Sequence, residues 1–296
     1  MGVSRFFQGL LDSTQAVAGF VVDYYKFESM AFVHACATRG VPSVDLQHGI
    51  QGPYHMAYGR WSVVPDEGYE LLPRYFWVWS EDEARHIDDW RPARNHEPVV
   101  GGNPFLRMLL RNPGPRARAA IRMADSLSAA GEDGHTVLVT LHGYETPDEL
   151  DELARIVSDA PARWRWWIRA HPGNRDGARE AADALARNGV ENAETEIASA
   201  APLFALLPRV DVHVTVCSSV VIDAAAFGVP SVVIGPDGAA RYANEHRAGL
   251  VELAPPAEMV RAIERMATGS RRKVPLIEDG GIAWAQELLD LGKSRA

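Results

Sequence analysis

The sequence predicts an α/β fold in which two Rossmann-like, doubly wound domains follow one another. Three observations support this prediction. Short β-branched or aromatic runs alternate with helical patterns, a turn-rich break divides the 296 residues, and the composition, 47% hydrophobic and 23% charged, is that of a globular protein. Strands that alternate with helices form parallel sheets, because each parallel connection has to cross over the sheet.

The first predicted domain covers residues 1–112. Its elements are a strand over 17–25, for which a helix is the alternative, a helix over 27–39, strands over 41–46 and 75–79, a helix that begins at Ser80, and a strand over 98–100. Ser80 is a favourable N-cap, and the three acids that follow it suit the positive end of the helix dipole.

The second predicted domain covers residues 113–296 and begins in the turn-rich segment Asn112–Pro115. Its strands are predicted over 136–141, 164–170, 210–216 and 230–234, with a late strand near Leu250. Its helices are predicted over 116–130, 147–158, 176–188, 220–227 and 256–267. This series repeats the alternation of the first domain and predicts a second parallel sheet.

Cysteine usage and charge exclude several classes of protein. Cys36 and Cys217 lie far apart in the sequence, which excludes a disulfide framework and a zinc ribbon and fits a cytoplasmic protein. Acidic residues outnumber basic ones by nine, which argues against a nucleic-acid partner.

No apolar run approaches the roughly 18 residues of a membrane span. Residues 6–11 predict an apolar helix face that packs on the protein, with a peripheral membrane contact as the alternative.

Two serines follow the predicted strand over 210–216 and open a predicted helix. In open α/β sheets, ligands bind beyond the carboxyl ends of the strands. Ser218 and Ser219 would place hydroxyl and backbone N–H groups at the positive end of a helix dipole, where a phosphate or a carboxylate binds. Simple N-capping, which one serine satisfies, is an equal alternative.

Two histidines follow other predicted strands of the second domain. His171 lies in the polar turn that also holds Asn174, and we expect it to point into the crevice between the domains. There its imidazole could bind a nucleotide phosphate or protonate a leaving group. His142 could contact the same ligand. A structural histidine and an ordinary βα turn are the alternatives.

A third polar turn, Gln47, His48 and Gly49, follows the predicted strand over 41–46. Its glycine, and Gly52 beyond it, would let the backbone approach a ligand closely. A flexible loop with an incidental histidine is the alternative.

The chain has no GxxxxGK[ST], GxSxG or GxGxxG motif and no metal-ligand spacing, so we expect neither a metal nor a cofactor.

Together and in this order, four segments resemble the GT-B-fold glycosyltransferases of bacterial surface and capsule polysaccharide biosynthesis. The similarity is to the Kdo-transferase-like branch and, more distantly, to CDP-glycerol glycerophosphotransferases. The segments are Gly40–Pro42 with Gln47–Gly49, Val99–Pro104, His171–Pro172, and Cys217–Ser219 with Gly228–Pro230.

The resemblance implies a metal-independent glycosyltransferase that moves a sugar from a CMP-, CDP- or UDP-linked donor to a carbohydrate or lipid-linked acceptor. The donor would lie mainly on the second domain. His171 would contact the nucleotide phosphate, and Ser218 and Ser219 would hold phosphate or a sugar carboxylate. Gln47, His48 and Gly49 would lie at the reaction centre. GT-B proteins usually have a larger first domain, so the first domain here is reduced.

Displacement at an anomeric carbon requires a base that takes the acceptor's hydroxyl proton. His48 is the first candidate, and Glu81, at the start of its predicted helix, is the second. Asp223 would reach donor hydroxyls, although related proteins often have a glutamate near that helix. The alternatives are a nucleotide-sugar epimerase, a glycerophosphate transferase of the same fold, and a non-catalytic nucleotide-binding scaffold.

Overall fold

The computed structural model describes residues 2–49, 51–52, 55–59, 61–92, 94–127, 129–235, 241–269 and 280–293. It confirms the predicted fold class, with two all-parallel sheets in an α/β arrangement. The chain divides into two compact units, Met1–Arg107 with Pro275–Ala296, and Met108–Val274. Ile50, in the polar turn after the second strand, and Ser128, in the predicted helix over 116–130, lie outside the described residues.

The first unit contains a four-stranded parallel sheet. Its strands are Gly19–Val21 (β1), Ser43–Leu46 (β2), Tyr75–Val78 (β3) and Glu97–Val100 (β4), and they lie side by side in this order. Its helices are Gly2–Thr14, Phe27–Arg39, Glu81–Asp88 and Gly280–Lys293, and Pro104–Arg111 joins it to the second unit. Because the order is sequential, strand order does not reverse within the described part of this sheet.

The C-terminal helix Gly280–Lys293 covers one face of the first sheet. Trp284 packs edge-on against Tyr75 and Trp77, with ring centroids 5.0 and 6.1 Å apart. Tyr75 and Trp77 lie two residues apart on β3 and therefore face the same side of the sheet. The predicted domains, 1–112 and 113–296, assign this helix to the second domain, whereas it packs in the first unit. There it covers aromatic side chains that water would otherwise contact.

The second unit contains a six-stranded parallel sheet. Its strands are Thr136–Thr140 (β5), Arg165–Arg169 (β6), Ala193–Glu194 (β7), Val212–Thr215 (β8), Ser231–Ile234 (β9) and Val251–Ala254 (β10). They lie in the order β10-β9-β8-β5-β6-β7. The order reverses between β5 and β8, as in a doubly wound sheet with a topological switch point.

Helices separate these strands, as the alternating pattern predicts. They are Pro115–Asp125, Pro147–Asp159, Gly177–Arg187, Glu196–Ala200, Leu203–Leu206, Val220–Phe227, Ala243–Arg247 and Met259–Thr268, with short 3₁₀ turns at Leu207–Arg209 and Pro256–Glu258. The helices Phe27–Arg39 and Val220–Phe227 have the predicted bounds. The short helices between 196 and 206 and the C-terminal helix are absent from the prediction.

The tryptophan-rich strand β6 forms the centre of the second core. Trp166 and Trp167 are both fully buried, and they pack into different hydrophobic clusters, one on each face of the sheet. A parallel strand that is buried on both faces is apolar along its whole length. This explains why the run of tryptophans around residues 164–168 predicts a strand without alternation.

The predicted strand over 17–25 is shorter than expected, and the helical alternative is wrong. β1 ends at Val21, and Asp23 has a φ of 62°. Aspartate is among the few residues that adopt this left-handed conformation, because its short side chain bonds locally. Bends and turns therefore replace residues 22–25, the last four of the nine residues of the predicted strand.

Candidate functional site

Three polar turns emerge side by side from the carboxyl edge of the second sheet. β8, β5 and β6 are neighbours, and the turns that follow them carry Ser218, His142 and His171. Neighbouring strands lie about 4.8 Å apart, so the three turns span about 10 Å. The switch point between β5 and β8 falls within this span, and ligands of open α/β sheets bind at such points.

The two serines after β8 have different structural roles. The Ser218 hydroxyl accepts a hydrogen bond from the Val220 N–H at 3.3 Å, and the Ser218 carbonyl accepts one from the Tyr242 hydroxyl at 3.0 Å. Ser219 occupies the N-cap position of the helix Val220–Phe227, but its side chain makes no capping hydrogen bond. The Ser218 hydroxyl therefore closes a local turn, and the exposed hydroxyl of Ser219 is available to a ligand.

Asp223 lies one helical turn after Ser219. Residues four apart share a helix face, so the carboxyl and the hydroxyl lie on the same side of this helix. Burial raises the pKa of Asp223 to about 6. Within the described part of the chain, its carboxylate has no hydrogen-bond or ion-pair partner. A half-buried carboxylate without a protein partner is suited to accept hydrogen bonds from a ligand's hydroxyl groups.

The turns after β5 and β6 touch at a glycine. Gly143 has a φ of 93°, and a Cβ at this position would lie 2.9 Å from the Cβ of His171. The His171 Nδ1 accepts a hydrogen bond from the Gly173 N–H at 3.0 Å, and the His142 Nδ1 accepts one from the Tyr144 N–H at 3.2 Å. The His142 Nδ1 also lies 3.5 Å from a carboxylate oxygen of Glu145. An imidazole that accepts a hydrogen bond at Nδ1 carries its hydrogen on Nε2. Both rings can donate that hydrogen bond to an anion.

Other polar side chains at this edge are used internally. The Asn174 side-chain oxygen accepts a hydrogen bond from the Asp176 N–H at 3.2 Å, and its amide nitrogen lies 3.4 Å from a carboxylate oxygen of Glu180. The Glu145 carboxylate accepts the N–H groups of His142 and Gly143. Asn174 and Glu145 thus shape the two turns that carry the histidines.

His48 and Asp23 lie in direct contact at the carboxyl edge of the first sheet. The His48 Nε2 lies 2.5 Å from Asp23 Oδ1, and the Lys26 Nζ lies 2.5 Å from Asp23 Oδ2. His48 is 38% exposed and Asp23 only 13%. Within the described residues, no partner is recorded for the His48 Nδ1. A histidine whose Nε2–H is held by a carboxylate can accept a proton on Nδ1.

Asp23 is a residue that the sequence analysis missed. The predicted strand ran through residue 25 and placed this carboxylate inside a strand rather than after one. Its position just after β1, beside the turn that follows the neighbouring strand β2, brings it to His48. The sequence does contain an indication that the strand ends here, because Asp23 directly follows two valines and aspartate favours turns over strands.

Gln47 is fully engaged with the protein. Its side-chain amide donates to the Gly49 carbonyl at 2.8 Å and to a carboxylate oxygen of Glu83, and its side-chain oxygen accepts the Trp79 N–H at 2.6 Å. It therefore braces the turn after β2 against the helix Glu81–Asp88. Glu81 itself is exposed at the first position of that helix.

Behind this edge lies a buried carboxyl group. Asp45, inside β2, is completely buried and accepts hydrogen bonds from the Tyr24 N–H at 3.1 Å and the Tyr58 hydroxyl at 2.7 Å. Burial raises its pKa to about 7. Because Tyr24 follows Asp23 directly, this hydrogen bond fixes the turn that carries Asp23.

The glycine pair in the segment Val99–Pro104 has a packing role. A Cβ at Gly101 would lie 2.1 Å from the Trp77 ring, and the Trp77 Nε1–H donates to the Gly102 carbonyl at 2.8 Å. The Asn103 side chain accepts the Leu106 N–H at 2.9 Å and starts the following helix. These packing contacts and hydrogen bonds account for the two glycines and the asparagine of this segment without any role in ligand binding.

A cavity in the second unit lies at the opposite edge of its sheet. It has a volume of about 700 Å³ and is lined by residues that include Trp166, Gly189 and Asn192. Helices end there, so their carbonyl groups and the negative ends of their dipoles point toward it. That environment disfavours an anionic ligand.

Two findings concern metals and membranes. Among the residues that the structure describes, histidine, cysteine, aspartate and glutamate side chains form no group of three that could hold a metal ion. None of the described helices combines the length and the apolar character needed to cross a lipid bilayer.

No protein-family model and no curated protein matches the chain. Solved structures do match it. A UDP-GlcNAc 2-epimerase from Neisseria meningitidis bound to UDP-GlcNAc has a TM-score of 0.64 at 12% identity, covering 97% of this chain and 80% of that chain. The S. aureus MnaA–UDP co-structure has a TM-score of 0.63 at 12% identity, covering 98% and 81%.

A third similar structure is that of Methanocaldococcus jannaschii UDP-GlcNAc 2-epimerase in complex with UDP-GlcNAc and UDP. It has a TM-score of 0.59 at 14% identity, and the match covers 96% of this chain and 79% of that chain. At these identities the likeness concerns the fold. The chain thus has an α/β fold of the GT-B type, which it shares with enzymes that act on nucleotide sugars.

Proposed function

We propose that this protein is an enzyme that acts on a nucleoside-diphosphate sugar and holds the diphosphate at the carboxyl edge of the second sheet. The observation that carries the proposal is the uncapped, exposed hydroxyl of Ser219 at a topological switch point, with the Nε2–H groups of His142 and His171 on the neighbouring turns. Neutral donors and a helix N-terminus offset the negative charge of a diphosphate without a cation.

Each group at this edge has a role that its surroundings support. His171 and His142 donate to phosphate oxygens, and Ser219 donates from the far side of the switch point. Ser218 shapes the turn that presents Ser219. Asp223, one turn along the helix, accepts hydrogen bonds from hydroxyl groups of the ribose or the sugar.

Proton transfer is the role that we assign to His48. Its Nε2 lies against the Asp23 carboxylate, which fixes the ring and stabilises the imidazolium once a proton arrives on Nδ1. Glu81 is the alternative base. Its exposed position at a helix N-terminus gives it no comparable partner among the described residues.

Epimerisation of the nucleotide sugar is the first candidate reaction. Two of the named structures with this fold are UDP-GlcNAc 2-epimerases, and both contain UDP-GlcNAc. Such a reaction moves a carbon-bound proton of the sugar and needs no second substrate. Removal of the C2 proton would form a C1–C2 double bond as the anomeric bond to the diphosphate breaks. Return of a proton to the opposite face of C2, with re-formation of the bond between C1 and the diphosphate, would give the epimer. His48 would remove or return that proton.

Glycosyl transfer to a hydroxyl group is the second candidate reaction. The exposed histidine with a carboxylate partner favours it, because that arrangement suits a base that deprotonates an incoming hydroxyl. The anomeric bond to the diphosphate would break, and the acceptor oxygen would form the new bond. This matches the resemblance to GT-B glycosyltransferases.

Product analysis separates these candidates. The purified chain is incubated with UDP-GlcNAc, and ¹H NMR follows the anomeric and C2 protons, first without an acceptor and then with a panel of saccharides. Formation of an epimer without acceptor supports epimerisation, and acceptor-dependent release of UDP supports transfer. The test is repeated with CDP- and CMP-linked sugars. Nucleotide binding without turnover of any donor would contradict the assignment as an enzyme and favour a scaffold.

A further inference from the structure

An exposed apolar strip lies on the helix Pro104–Arg111. Phe105 is 64% exposed and Met108 is 54% exposed. They lie three residues apart and share one face of the helix, and the exposed Arg111 continues the same row. Single exposed apolar side chains are common on proteins, but two large ones side by side on a short helix leave an apolar strip in water.

The segment of sequence that contains this strip carries charge of one sign. Between Glu97 and Asp125 every charged residue is an arginine: Arg107, Arg111, Arg116, Arg118 and Arg122. The last three lie exposed on the next helix, Pro115–Asp125. The whole chain has a net charge of −9, so the positive charge of this segment is opposite in sign to that of the protein as a whole. A partner of this surface therefore carries negative charge.

We propose that the segment 104–125 docks on the surface of an anionic lipid bilayer. Phe105 and Met108 would enter the boundary between headgroups and acyl chains, and the exposed Arg116, Arg118 and Arg122 would contact lipid phosphates. A second copy of the chain fits less well, because symmetric pairing would bring two arginine clusters together. A nucleic acid would satisfy the arginines but would leave the apolar strip in water.

The proposal is independent of the proposed enzymatic function, because vesicle binding needs no substrate. The purified full chain is mixed with vesicles of phosphatidylglycerol and phosphatidylcholine, or of phosphatidylcholine alone, and bound protein is measured by flotation. We expect binding to the anionic vesicles only. At about 1 M salt, where the Debye length falls to about 3 Å, binding should weaken strongly.

Two double variants with matched controls locate the surface. Phe105→Ser with Met108→Ser should lose vesicle binding, whereas Phe6→Ser with Leu10→Ser, on an equally exposed helix, should retain it. Arg116→Glu with Arg122→Glu should weaken binding at least about tenfold. The control, Arg155→Glu with Arg261→Glu, changes the same charge at two other exposed arginines and should leave vesicle binding unchanged. Circular dichroism checks that each variant is folded.

Three outcomes would overturn the proposal. They are equal binding to both vesicle types, loss of binding only in the Phe6 and Leu10 variant, and no vesicle binding by the folded wild-type chain. Retention of the chain by double-stranded DNA, abolished by the arginine variant while vesicles fail to bind, would assign the surface to nucleic acid instead.

Discussion

At the scale of single residues, the proposed proton transfer rests on the contact between His48 and Asp23. An exposed imidazole acts as a base most efficiently when a fixed partner holds its other nitrogen. Asp23 is itself fixed, by the Lys26 ammonium at 2.5 Å and by its left-handed backbone. The three side chains form a preorganised group rather than an incidental surface pair.

His48→Ala should therefore lower turnover of the nucleotide sugar by about 100-fold or more, since general base catalysis contributes about that much. Asp23→Asn should lower turnover in the same direction, because it removes the charge that stabilises the imidazolium. Nucleotide affinity, measured by calorimetry, should stay unchanged in both variants. Glu81→Gln is the matched comparison. A loss of turnover in that variant, with His48→Ala still active, would transfer the role of base to Glu81.

Asp45 predicts a pH dependence of stability. Its pKa is about 7 in the folded chain and about 3.8 in an unfolded one. As pH rises from about 4 to about 7, the unfolded chain releases this proton and the folded chain retains it, so the carboxyl's contribution to stability falls and is lost above about 7. Asp45→Asn cannot titrate and should lack this fall, which amounts to at most about 4 kcal/mol.

Urea denaturation of wild type and of Asp45→Asn at about pH 5 and about pH 8 measures this difference. The exposed Asp159→Asn variant is the control and should follow the wild type. If the Asp45→Asn variant loses the same stability as the wild type between the two pH values, the buried carboxyl is not the group responsible.

At the scale of elements, the turn from β8 into the helix Val220–Phe227 separates a structural serine from one that is free for a ligand. Ser218→Ala should destabilise the fold by about 1 kcal/mol, because it removes the hydroxyl that accepts the Val220 N–H. Ser219→Ala should leave stability unchanged, yet weaken nucleotide binding about tenfold, as loss of a hydrogen bond to a charged group does. Thermal unfolding and calorimetry measure the two effects. Equal effects of both substitutions would refute this division of roles.

The elements themselves were largely predictable, and their contacts were not. The strand-turn-helix pattern predicted the bounds of Phe27–Arg39 and Val220–Phe227, because a glycine ends each helix in the left-handed conformation. The polar turns of the second sheet were predictable from strand ends. The contact of Asp23 with His48 was not, because it depends on the pairing of β1 with β2.

At the scale of the whole molecule, the C-terminal helix belongs to the first unit, which no local pattern indicates. Gly281 would place a Cβ 2.4 Å from the Gly101 Cα, so the helix approaches the sheet at two glycines. Such a contact links residues about 180 positions apart in the chain, and only the packed structure displays it.

Trp284→Ala should destabilise the first unit by about 2 kcal/mol, less than a fully buried tryptophan because the ring is half-buried. Differential scanning calorimetry measures the change, with Glu287→Ala on the exposed side of the same helix as control. If Trp284→Ala and Glu287→Ala unfold at the same temperature, the helix does not stabilise this unit.

We propose that a nucleoside diphosphate binds at the carboxyl edge of the second sheet. Isothermal titration calorimetry of UDP into the wild-type chain, His48→Ala and His171→Ala tests it most directly. We predict saturable binding at one site in the wild type, equal affinity in His48→Ala, and at least about tenfold weaker binding in His171→Ala. A folded wild-type chain that binds neither UDP nor CDP, CMP, GDP or ADP would contradict the claim.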